Sequence, residues 1–89
     1  MLNHVEIQGK ITGETKLGPN GVRFSISHQR SFSNISDSLL CVIENGSEAE
    51  SFLRNAKQGR TVIVNGKIRV EDKCVEILAD SVHFVDGGG

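Results

Sequence analysis

Apolar and polar residues alternate along the first segment of the chain. Val5, Ile7, Gly9 and Ile11 fall on one side, and His4, Glu6, Gln8 and Lys10 on the other. That period of two is the mark of a strand with one covered face. The cluster LGPNG (17–21) predicts a turn, with Asn20-Gly21 supplying positive φ. A second strand lies in RFSISHQRSF (23–32), where Phe24 and Ile26 point inward and Ser25 and Ser27 outward. The inward file continues through His28, Arg30 and Phe32, turning cationic and ending on an aromatic ring. Either the strand leaves the core at that end, or the end is a surface that touches a ligand. SNISD (33–37) reads as a loop, and LLCVIE (39–44) as a third strand apolar on both faces. Such a strand is fully buried or has one face covered by a partner chain.

A helix comes next. Ser47 and Glu50 fit a capping box that starts it at 47, and Ala49, Phe52, Leu53 and Ala56 form one apolar stripe. Lys57 falls in the last turn, and Gly59 suits a left-handed C-cap. In TVIVNGKIRV (61–70) the residues Val62, Val64, Ile68 and Val70 are expected inward. Gly66 interrupts that file and predicts a bulge or sharp bend. A tight EDK turn (71–73) leads to CVEILADSVHFV (74–85). There Val75, Ile77 and Ala79 share one parity and Val82 and Phe84 the other, which predicts a bulge near Asp80. The order is therefore all-β with one short helix. It is the order of the OB-fold, a five-stranded Greek-key barrel with the helix between strands three and four. An open five-stranded α+β sheet with a packed helix is the alternative. Residues 1–86 form this domain, and 87–89 read as a flexible Gly tail.

A chain of 89 residues makes one small domain. Its net charge of −1 means that any basic surface must be local, because binding by bulk charge scales with the phosphates neutralised. No apolar run approaches the roughly 20 residues of a membrane-spanning helix. MLNHVEIQGK has neither an apolar leader core nor an Arg-rich amphipathic pattern, so a cytoplasmic location is expected. Cys41 and Cys74 lie in strand-like segments without metal-ligand spacing. They are expected as small buried residues in a reducing compartment, with a disulfide as the alternative. No nucleophile, phosphate-loop or metal motif is present, and His4, His28 and His83 fall on three different strands. A binding protein rather than an enzyme is expected, with no metal and no cofactor.

Single-strand binding by such a barrel needs an aromatic platform for bases and cations for phosphates. Phe32 and Arg30 end strand two, Lys67 and Arg69 share the outward face of strand four, Lys73 sits at its hairpin, and Arg23 lies on the other face of strand two. The competing reading is a merely solvated surface and a core-edge Phe.

Five segments in order resemble bacterial and phage single-stranded DNA-binding proteins, over nearly the whole chain. MLNHVEIQGKIT is similar to that family's opening strand. NGVRFSISHQRSF is similar to its Asn-Gly turn and second strand, which ends in Arg-x-aromatic. CVIENGSEAE, GRTVIVNGKI and ILADSVHFVD resemble its third strand with the helix start, its fourth strand and its closing strand. The resemblance implies sequence-independent coating of single-stranded DNA by a homodimer or homotetramer in replication, repair or recombination. It implies a subunit interface on the outward positions of strand one, at Leu2, His4 and Glu6, and of strand three, at Leu40 and Val42.

Where the family carries further aromatics, this chain has Ser38, Glu44 and a hairpin cut to EDK, so Phe32 is the one platform left and binding should be weak to moderate. Glu44 would repel phosphates, and His4 stands where the family has a basic residue. The sequence to residue 89 lacks the family's long tail with an acidic-hydrophobic tip. The short hairpin also resembles the related primosomal replication protein, a dimeric OB-fold, and that likeness would add a replication protein as partner; an OB-fold that only assembles with proteins, without nucleic-acid binding, is the remaining alternative.

Overall fold

The structure, a computed structural model, describes residues 3–19, 21–44 and 46–85. In chain order the elements are β1 (Val5–Gly18), β2 (Gly21–Gln29), β3 (Ser36–Ile43), α1 (Ser47–Asn55), β4 (Thr61–Glu71) and β5 (Cys74–Phe84). They close a barrel in the order β1-β2-β3-β5-β4, with α1 between the third and fourth strands. This is the OB-fold arrangement expected from the strand order.

Closure depends on β1 serving two neighbours. Its first half pairs antiparallel with β4, from Val5 opposite Gly66 to Lys10 opposite Thr61. Its second half pairs with β2, from Lys10 opposite Ser27 to Gly18 opposite Gly21, and the register slips between Thr12 and Lys16. Gly13, at φ 70°, lies within that slip, a bulge the sequence pattern did not announce. The ring is completed where β3 runs parallel to β5, with Cys41 opposite Ile77 and Val42 opposite Leu78.

The bulge expected near Asp80 is present. Asn65 pairs with Ser81 and Gly66 with Ala79, which leaves Asp80 as the extra residue. Gly66 is buried there, and a Cβ on it would press on the backbone carbonyl oxygen of Leu78. Gly66→Ala should therefore cost about 1–3 kcal/mol through forced backbone displacement. Urea unfolding would show this as a lowered midpoint.

Inside the barrel, Ile11, Val22, Phe24, Ile26, Cys41, Val62 and Val64 are buried, and Ala49 and Phe52 of α1 close one end. Phe52 lies 4.3 Å from the Phe24 ring and 5.8 Å from the Phe84 ring, centroid to centroid. The predicted stripe of α1 faces inward as expected, but its ends differ from expectation. Gly46, at φ 144°, is the N-cap, no side chain caps the helix, and Ser47 is already helical. The helix stops at Asn55 on an extended Ala56, with Arg54 rather than Lys57 in the last turn. Gly59, at φ 93°, instead closes a turn and donates its N–H to the Ile11 carbonyl at 2.8 Å.

Two residues expected inward, Ile68 at 49% and Val70 at 66%, are exposed, as is Val75 at 62%, which shares a parity with Ile77 and Ala79. Pairing between β4 and β1 stops at Gly66, so the β4–β5 hairpin extends past β1, where these three side chains are exposed. The Asn3 carboxamide ends the ladder there, donating to the Ile68 carbonyl at 3.0 Å and accepting its N–H at 3.1 Å.

Both cysteines are free thiols, but only Cys41 is buried, and Cys74 is exposed at the hairpin. Burial pushes the Cys41 thiol up to about 12, so it stays protonated and shielded at neutral pH. A thiol reagent should modify Cys74 alone in the native protein and both cysteines after denaturation. Equal reactivity of the two in the native state would contradict the packing. No helix among the described residues is long and apolar enough to cross a membrane.

Candidate nucleic-acid interface

The inward file of β2 ends as it does because the strand ends. Phe24 and Ile26 are buried, while His28 is half-buried and shares a 2.8 Å hydrogen bond between its Nδ1 and the Gln8 carbonyl. After Gln29 the chain turns through a loop closed by the Arg30 N–H donating to the Ile35 carbonyl at 2.9 Å. Gln29 Nε2 donates to the Ser33 carbonyl at 2.8 Å, and the Ile35 N–H donates to Ser33 Oγ at 3.0 Å. Arg30 grips Asp37 with both Nε and Nη2, each at 2.9 Å. The Arg30 hydrogen bond holds the Asp37 carboxyl below the usual range. Arg30 thus acts first as the clamp of this loop.

At the loop tip, Phe32 has φ 58° and an exposure of 109%. The left-handed conformation costs a non-glycine residue about 1–2 kcal/mol. Water around a bare ring adds to that cost, and no contact among the described residues offsets either. Backbone strain and full exposure thus coincide at this aromatic, on a loop braced by Arg30 and Asp37. The other rings are engaged: Phe24 and Phe52 are buried, and Phe84 is half-buried with the Arg60 guanidinium 4.1 Å over its face.

The remaining predicted cations lie elsewhere. Arg23 to Gln29 spans six residue steps along β2, about 20 Å at strand rise. Phe32 and Arg30 therefore sit at one end of the β2–β3 ribbon and Arg23 near the other. Lateral pairing places Lys16, Arg23, Val42, Leu78 and Lys67 in one row across five strands. Lys16, Arg23 and Lys67 are exposed along that row. Lys16 escaped sequence reasoning because only the β1–β2 register brings it beside Arg23. Lys73 sits with Asp72 in the hairpin turn, at φ 66° and 49°, and is exposed.

Beside the row runs a groove of about 740 Å³, lined by Gly18, Pro19, Gly21, Arg23, Val42, Glu44, Arg69 and Glu71. Its organising residue is Glu76, whose side chain is 2% exposed. Glu76 Oε1 accepts from Arg69 Nε at 2.9 Å and Nη2 at 2.6 Å, and Oε2 accepts from Arg23 Nη1 at 3.1 Å. Burial pushes the Glu76 carboxyl up, but the hydrogen bonds and charges of the two guanidiniums outweigh it and hold it below the usual range. Arg69 also lies 3.8 Å from Glu71. Two guanidiniums thus meet three carboxylates, Glu44 included, and the groove is no cationic track. The alternating pattern did not mark Glu76 as special. A two-residue turn at Asp72-Lys73 would have done so, since it puts Arg69 directly opposite Glu76.

Of the positions expected at a subunit interface, His4 and Glu6 are exposed and Leu40 is half-buried. Val42 is 2% exposed without belonging to the barrel core, so its own protomer already covers it. Leu2 lies outside the described residues.

No family model and no curated protein matches the sequence. Solved structures do match the architecture. The mitochondrial single-stranded DNA-binding protein Rim1 of S. cerevisiae superposes with a TM-score of 0.82 at 14% identity, covering 96% of each chain. The chain shares that protein's fold. A small single-stranded DNA-binding protein from Mycoplasma pneumoniae gives a TM-score of 0.76 at 21% identity over 93% of both chains. The dimeric N-terminal domain of PriB from Thermoanaerobacter tencongensis gives 0.74 at 17% identity, over 93% of this chain and 96% of that one.

Proposed function

We propose that this protein binds single-stranded DNA, in replication, repair or recombination, as a homodimer or homotetramer and without catalysing a reaction. The observation that carries the reading is the Phe32 ring, bare to solvent on a braced loop at a strained backbone position. Likeness of the whole barrel to single-stranded DNA-binding proteins supports it. The ring stacks a base of any identity, and Lys67 and Lys73 meet phosphates, with Arg23 held beside their row by Glu76. Arg30 keeps the loop in shape through Asp37, and Arg69 is mostly engaged by Glu76. His4, Glu6 and Leu40 would lie towards a second subunit.

Fluorescence anisotropy of a labelled oligo-dT tests the reading. Binding should appear at low salt and weaken as salt rises, because each neutralised phosphate releases counterions. Lys67→Ala should reduce the slope of log K against log salt by about 0.7. Arg30→Ala should weaken binding with little change in slope, since its cost falls on the loop. No anisotropy change at micromolar protein in low salt would reject the reading.

A primosome-type accessory role, with a dimer binding DNA and a protein partner, is favoured by the two-residue hairpin turn and the apolar face of Ile68, Val70 and Val75 beside it. Light scattering gives the mass: a tetramer rejects this second reading, and a dimer keeps it.

A further inference from the structure

The groove beside the cationic row is built in a way that neither stacking nor phosphate contact explains. Glu76 holds two guanidiniums from below, engaging Nη1 of Arg23 and Nε and Nη2 of Arg69. Among the described residues no hydrogen bond engages Arg23 Nε or Nη2 or Arg69 Nη1, which leaves them as donors. Glu44 lines the same groove and is exposed, and no hydrogen bond or ion pair from the described residues engages it. The buried Val42 and Pro19 also line it. A volume of about 740 Å³ lies within the range of small-molecule sites. With three carboxylates around two guanidiniums, an anion is disfavoured. A neutral, planar group with acceptors on one edge and donors on another is favoured.

We propose that this groove binds a guanine base, with the Glu44 carboxylate taking its adjacent N1–H and N2–H donors and the free ends of Arg23 and Arg69 meeting O6 and N7. Arginine on O6 and N7 is the commonest specific contact to guanine. Guanine alone among the four DNA bases offers two neighbouring N–H donors to a single carboxylate. Thymine has one imide N–H between two carbonyls, which would face Glu44 oxygen to oxygen. Glu76 is then a positioning residue, fixing both guanidiniums before the base arrives. The groove lies at the far end of the β2–β3 ribbon from Phe32, so a strand stacked on Phe32 without preference would be read at a second point. That setting rests on the single-strand reading, but the base preference of the groove does not.

NMR of the 15N-labelled full chain, titrated with dGMP and separately with dTMP, tests the proposal without DNA. The expected result is saturable shifts at Gly18, Gly21 and Val42 with dGMP, and affinity for dTMP lower by about 5-fold to 100-fold. Glu44→Gln, an exposed substitution, should remove most of that preference while leaving the free protein's spectrum in place. Equal affinity for the two nucleotides, shifts confined to the lysines, or an unchanged preference in Glu44→Gln would each overturn it, as would no binding at millimolar nucleotide. If oligo-dT failed to bind while dGMP still shifted these residues, the single-strand reading would fall and the guanine site would stand.

Discussion

Phe32→Ala should weaken oligo-dT binding by about 5-fold to 150-fold, the equivalent of about 1–3 kcal/mol for one stacked base. The loss should be large because the remaining rings are committed to the core or to Arg60, so no neighbour can substitute. It should come without loss of stability, since the ring touches no core and sits at φ 58°. Phe32→Gly sharpens the point. Relief of the left-handed strain should raise the urea midpoint, by about 1 kcal/mol of stability, while binding falls as in the alanine variant. A ring that mattered to folding would show the opposite pairing, with stability lost in both variants. Phe32→Tyr should retain most of the binding.

The largest stability effect should come from stranding Glu76. Replacing Arg23 and Arg69 together by methionine leaves a 2%-exposed carboxylate with neither of its guanidinium partners, and should cost about 3–5 kcal/mol at neutral pH. The pH dependence should reverse for this group. In the native protein the folded-state value of Glu76 is held down, so its contribution is present above the unfolded value of about 4.3. It is lost as pH falls from there through the folded value. Without the guanidiniums only burial acts, and the folded value rises. The stability then is greatest below about 4.3 and is lost as pH climbs towards the raised value. The gap between native and doubly substituted protein should therefore be wide at pH 7 and narrow at pH 4 in urea unfolding. An equal gap at the two pH values would mean that Glu76 is not what the arginines support.

These two effects differ in how far the chain announces them. Alternation marked the strands, the stripe Ala49, Phe52, Leu53 and Ala56 marked the helix, and the parity change after Ala79 marked the bulge at Asp80. Each is a local rule with a local cause. Ile68, Val70 and Val75 obey the same rule, yet are exposed, because alternation says which residues share a face and not whether anything lies opposite. Ser47 misled for a related reason: Gly46 takes the extended, positive-φ entry to the helix, so the capping position falls one residue earlier. At the candidate site, the exposed end of the β2 file was readable from its change of chemistry. The pairings Arg30–Asp37 and Arg23–Glu76–Arg69 were not, because they depend on registers set by turn lengths. A list of basic residues therefore overstated the charge available to phosphates.

The sequence contains no tryptophan and no tyrosine, so Phe32→Trp gives a single emitting ring at the proposed stacking position. Its emission should be quenched saturably as oligo-dT is added at low salt and should recover as salt releases the strand, while tryptophan placed instead at the exposed Leu17 should change little. Oligo-dT that binds the Phe32→Trp variant by anisotropy yet leaves its indole emission unaltered would show that bases do not stack there, and would contradict the account at its centre.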